Sequence, residues 1–130
     1  MKSDVVVIDS GGANLASLLY ALQRLGTRGE VSADPARIAG ASHVLLPGVG
    51  SAQHAMQRLA ANGIPALLPT LRVPLLGICL GMQLLFEASD EALEGEGPTR
   101  CLGLLPGRVT RLQPVPGRPV PHMGWNQLQL

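Results

Sequence analysis

Residues 75–87 read LLGICLGMQLLFE. An apolar run over 73–78 has the composition of a buried strand, and over 81–88 the pattern becomes that of a helix. At the junction stands Cys79, with Gly77 two residues before it and Gly81 two residues after. The same alternation of periods extends outward. Residues 4–8 (DVVVI) are a continuous apolar run of the kind buried parallel strands show. Leu15, Leu18, Leu19, Leu22 and Leu25 then recur at helical spacing, with Asn14 as the cap and Gly26 as the stop. A weaker strand at 30–32 precedes Asp34-Pro35, a cap followed by a first-turn proline, and so a short helix. A third strand at 43–46 runs into PGVG (47–50). Ser51 caps a helix that puts Ala52, Ala55, Met56 and Leu59 on one face, with Gly63 at its end. This βαβα order implies an α/β fold: a mostly parallel open sheet with helices on both faces.

Composition narrows the function. At 130 residues the chain makes one domain, near the lower end for an open α/β sheet. Apolar residues are 46% of it, with one each of Trp, Tyr and Phe, so the core is aliphatic. A formal net charge of +1, no Lys/Arg cluster and few aromatics to stack on bases argue against a nucleic-acid partner. No apolar run approaches the roughly eighteen residues of a membrane span. Met1-Lys2-Ser3-Asp4 leads into a strand instead of a signal peptide, so a cytoplasmic location is expected. Cys79 and Cys101 lack metal-ligand spacing; reduced thiols are expected, with no metal, cofactor or disulfide.

Beyond Ser89 the character changes. SDEALEGEGPT (89–99) reads as a solvated acidic connection, since no paired ligands accompany it. Short β-like pieces follow, LGLL, RVTRLQ and WNQLQL, broken by Pro-Gly turns. Leu128, Gln129 and Leu130 alternate like a half-buried strand and the sequence stops there without cap or turn, the pattern of an element cut in its middle.

In open parallel sheets ligands bind outside the carboxyl ends of the strands, where PGVGS and GICLG both fall. Gly77-Ile78-Cys79-Leu80-Gly81 fits a nucleophile elbow with Cys in place of Ser. A nucleophile on so sharp a turn takes strained backbone angles, and small neighbours keep the turn from clashing with itself. A thiol at a helix N-terminus also meets N–H groups and the positive dipole end, which favour thiolate. The Leu80 N–H is then placed to donate to an oxyanion. The other reading of a lone cysteine is a buried structural thiol, and the strand–helix context favours the nucleophile. PGVGS taken alone reads equally as a second oxyanion donor or as a plain turn into the next helix.

LLPGVGS, GICLGMQLLFE, LGLLPGRV and PHMGWN, in this order, resemble the glutaminase subunits of imidazole glycerol phosphate synthases, a family of class I (triad) glutamine amidotransferases of histidine biosynthesis. The resemblance spans essentially the whole chain and implies a flavodoxin-like fold. Carried over by position, Cys79 would attack the glutamine side-chain amide and form a glutamyl thioester. Val49 and Leu80 would supply oxyanion N–H groups, and Gly50 and Gln83 would help hold glutamine. Pro121, His122, Met123, Gly124, Trp125 and Asn126 would face the partner, a (β/α)8-barrel cyclase subunit that consumes the ammonia in a heterodimer. Two other readings stand beside this one: a non-catalytic amidotransferase-like interaction domain, and another triad amidotransferase such as an anthranilate or guanylate synthase glutaminase, which should lack PHMGWN.

Two departures limit the carry-over. The family's first loop, Asp-Tyr-Gly-x-Gly-Asn, is here Asp9-Ser10-Gly11-Gly12-Ala13-Asn14. The family's catalytic His-x-Glu pair is absent: none of His43, His54 and His122 is followed two residues later by Glu. The chain thus reads as the N-terminal part of such a subunit, a nucleophile without its base, inactive by itself. Self-association through the sheet edge or the segment after Arg108 is expected.

Overall fold

A computed structural model describes residues 4–12, 14–91 and 96–130. The Met1-Lys2-Ser3 lead, Ala13 of the first loop and the middle of the acidic connection lie outside the described residues. Four strands form one parallel sheet in the order β2-β1-β3-β4: β1 (Asp4–Ile8), β2 (Arg28–Ser32), β3 (His43–Gly48) and β4 (Leu75–Cys79). Between them run α1 (Leu15–Arg24), α2 (Pro35–Ala39), α3 (Ala52–Ala61) and α4 (Ile64–Leu67), and α5 (Leu80–Leu84) follows β4.

The caps expected from sequence are made. The Asn14 side chain accepts from the Ser17 N–H, that of Asp34 from Ala36 and that of Ser51 from His54, each satisfying a donor the first turn leaves orphaned. Gly26 and Gly63 follow α1 and α3 with φ of 72° and 70°.

Alternation along β1 divides the core in two. Val5 and Val7 face α1 and pack with Leu22, while Val6 and Ile8 face the other helices and pack with Ile38, Val44, Leu46, Leu59 and Ile64. Burying each such aliphatic side chain favours the fold by about 1.5–3 kcal/mol, the source of stability in a chain nearly without aromatics. On the rim, Arg37 bridges Glu30 and Asp4, tying α2 to β1 and β2. β4 is the outer strand. On the face shared with α1, its Leu76 is 57% and its Ile78 36% exposed.

Three expectations need correction. The helix expected over 81–88 ends at Leu84, because the chain returns at 101–105 and takes the next carbonyls: Cys101, Leu102, Gly103 and Leu105 N–H groups donate to Glu87, Leu84, Phe86 and Leu85. Ala88–Ser89 instead becomes β5, the middle of a second small sheet with β6 (Thr99–Arg100) and β7 (Arg108–Val109). Of the β-like pieces, only RVTRLQ contributes a strand. LGLL forms none, and WNQLQL lies exposed, with Leu128 at 90%, since alternation makes a strand only where a partner strand receives it.

Among the described residues, no helix is long and apolar enough to cross a membrane and no cluster of His, Cys, Asp and Glu could hold a metal ion.

Candidate active site

The carboxyl ends of β1, β3 and β4 converge on one edge of the sheet, with Gly48 registered against Cys79. Cys79 ends β4 and precedes α5 with φ 55° and ψ −121°, the sole non-glycine residue with positive φ among those described. That conformation carries real strain for a residue with a Cβ. A Cβ on Gly81 would stand 1.7 Å from the Leu46 carbonyl oxygen, and one on Gly77 would stand 2.6 Å from the Met82 Cα. The two glycines are therefore set by close approach of backbone to backbone, which lets α5 fold back over β3 and β4 and leaves the Cys79 side chain exposed at the apex.

Beside Cys79 opens a cavity of about 750 Å³. Val49 and Gly50 line it from the loop after β3, and Leu80 and Gln83 from α5, so the lining includes, with Cys79, the five residues that the family resemblance gives as nucleophile, oxyanion donors and glutamine contacts. The opposite wall is formed by Ser89, Asp90 and Glu91 and by residues 109–111, with Val120 and Pro121 closing it. Of the PHMGWN stretch only Pro121 reaches the cavity; Met123 and Trp125 project into solvent, Trp125 completely. A second, apolar groove of about 320 Å³ reaches Cys79 from the other side, between Leu18 and Ala21 of α1 and Ile78 of β4.

Within 89–99, read from sequence as a solvated connection, the ends belong to strands, Ser89 to β5 and Thr99 to β6, and the exposed Asp90 and Glu91 also line the cavity. Asp90 is drawn in by Arg108, whose Nε and Nη2 donate to its Oδ1 at 2.9 and 2.7 Å, while the Asp90 N–H donates to the Val109 carbonyl. Among the described residues the Glu91 carboxylate accepts no hydrogen bond, although its N–H donates to the Ser89 Oγ. No spacing in the sequence marks these residues; the only signal is that they follow the strand after the elbow helix.

No histidine lines the Cys79 cavity. His43 opens β3 at the far end of the sheet, His54 lies in α3 beside Arg58 in a separate pocket, and His122 is exposed. The second thiol, Cys101, is buried, and burial pushes it up from its ordinary range.

Residues 6–129 match the family described as glutamine amidotransferase class-I. The chain is 56% identical over 126 residues to the imidazole glycerol phosphate synthase subunit HisH of Xanthomonas oryzae pv. oryzae (strain MAFF 311018), covering 97% of this chain and 60% of that protein. It is 57% identical, with the same coverage, to the subunit of that name from Xylella fastidiosa (strain Temecula1). The chain thus spans about 60% of the length of these curated relatives. Among solved structures, a glutamine amidotransferase crystal structure superposes with a TM-score of 0.66 at 22% identity, covering 82% of this chain and 56% of that one. At that identity the likeness speaks to the fold.

Proposed function

The chain belongs to the class-I glutamine amidotransferase family, and from that premise we propose that it carries the nucleophile of a glutaminase of the imidazole glycerol phosphate synthase type, supplying ammonia for histidine biosynthesis. The observation that carries this is the strained, exposed Cys79 facing a cavity shared with Val49, Gly50, Leu80 and Gln83.

In this mechanism the Cys79 thiolate attacks the γ-carboxamide carbon of glutamine, and the carbonyl electron pair moves to oxygen. The Val49 and Leu80 N–H groups donate to that oxyanion. Collapse of the adduct breaks the C–N bond, the nitrogen leaves with a proton as ammonia, and the thioester is hydrolysed by water to glutamate and free thiol. Gln83 and Gly50 hold the amide end of the substrate. Glu91, across the cavity, complements its α-ammonium group, and Arg111 on the same wall adds a positive charge for its α-carboxylate. Proton transfer to and from sulfur and nitrogen falls to a base outside this cavity's residues. The relatives are named as subunits of a synthase, and the exposed apolar residues Val120, Met123 and Trp125 support docking to a (β/α)8-barrel cyclase that consumes the ammonia.

Alkylation with limiting iodoacetamide tests the site. Cys79 is exposed and Cys101 is buried with its thiol pushed toward the protonated form, so peptide mapping is expected to find Cys79 modified first. Glutamine is expected to slow that reaction, and Glu91→Gln to weaken the protection. Labelling of Cys101 first, or a Cys79 rate indifferent to glutamine, would count against the assignment.

A further inference from the structure

The loop after β1 carries a buried serine, and the structure shows what it does. Ser10 is 3% exposed, and its Oγ–H donates to the Pro47 carbonyl at 2.7 Å. Its own N–H is held by the Ile8 carbonyl at 3.1 Å. Pro47 is the last residue before Gly48-Val49-Gly50, the segment that presents Val49 to the Cys79 cavity. On its other side that segment is wedged against α5, since a Cβ on Gly48 would meet the Gly81 nitrogen at 2.8 Å. The segment therefore has three fixings: the pairing of Pro47 and Gly48 with Ile78 and Cys79 of β4, a backbone contact toward α5, and one side-chain hydrogen bond from the loop after β1, which is the only one of the three made by a side chain.

We infer that Ser10 is a positioning residue for the oxyanion site: its hydrogen bond to the Pro47 carbonyl sets the orientation of the next peptides, and with them the direction of the Val49 N–H. This rests on the reading of Val49 as an oxyanion donor. Ser10 does not line the Cys79 cavity. It acts where charge develops on a carbonyl oxygen and has no bearing on thiol reactions that form no oxyanion.

Two reactions of Cys79 separate these cases. Iodoacetamide is displaced at a saturated carbon, so no oxyanion forms. With the γ-p-nitrophenyl ester of glutamate the thiolate adds to the carbonyl, the oxyanion collapses, and p-nitrophenolate leaves with the electron pair, needing no proton from a base. Ser10→Ala is expected to slow the p-nitrophenolate burst about tenfold, less than the 10²–10³ lost with a direct oxyanion donor, while the iodoacetamide rate stays within about twofold. Ser10→Thr, which keeps the hydroxyl, should restore the burst. Should Ser10→Ala not fold, the isosteric pair Ser10→Thr and Ser10→Val carries the same comparison. A merely structural role would lower the melting temperature yet leave the ratio of the two rates unchanged, and that result overturns the inference. If the unsubstituted protein is alkylated at Cys79 but gives no burst, the oxyanion reading itself fails and the inference with it.

Discussion

Gly81→Ala is expected to destabilise the protein by about 3 kcal/mol or more, the upper end of overpacking effects, and to abolish Cys79 reactivity with glutamine-like esters. The added methyl would lie 1.7 Å from the Leu46 carbonyl oxygen and 2.6 Å from its carbon. Both are backbone atoms in the middle of the sheet, so no side-chain rotation relieves the overlap. Relief requires α5 to move off β3, and that movement unmakes the turn that holds Cys79 at φ 55°. Gly97→Ala is the control, since nothing lies within 4 Å of a Cβ there and its φ is ordinary. Chemical denaturation of the two variants checks this, and a Gly81→Ala protein as stable as Gly97→Ala would show that the helix is not wedged against β3.

The second large effect is on turnover. A general base takes the thiol proton and returns a proton to the departing nitrogen, and each such transfer is worth about 10²–10⁴ in rate. None of the three histidines in the 130 residues lines the Cys79 cavity. Ammonia release from glutamine by these residues alone is thus expected to fall at least about 10⁴-fold below that of a form also carrying a His-x-Glu pair in reach of the thiol. The measurement is coupled detection of ammonia with a cyclase of the proposed complex present. An ordinary enzymatic rate from the 130 residues would mean that one of their own groups serves as base.

What was legible in the sequence was what local physics decides. Asn14, Asp34 and Ser51 marked their helices because an N-cap needs only a short polar side chain before an apolar stripe. The G-x-C-x-G spacing located the elbow: Gly77 answers to Met82, close by in sequence, although the contact that requires Gly81 comes from Leu46 in β3. What the sequence hid was short or set from a distance. α4 is not marked in the sequence, since its four residues, Ile64–Leu67, are too few to show a helical period; its Pro65 sits in the first turn, where a missing N–H costs nothing. The early end of α5 depends on donors at 101–105, and the acidic wall of the cavity on an arginine 18 residues from its aspartate. Ser10 was visible only as a mismatch, and its meaning required knowing that Pro47 lies above it.

The central claim, that Cys79 is a nucleophile aimed at the γ-carbonyl of glutamine, is tested most directly by trapping the acyl enzyme. The protein is mixed with the γ-p-nitrophenyl ester of glutamate, quenched in acid and digested, and the peptides are weighed. One γ-glutamyl group is expected on the peptide carrying Cys79, with none on that of Cys101 and none at all in Cys79→Ser at matched time. A folded protein that leaves Cys79 free, or acylates Cys101 in its place, would contradict the account.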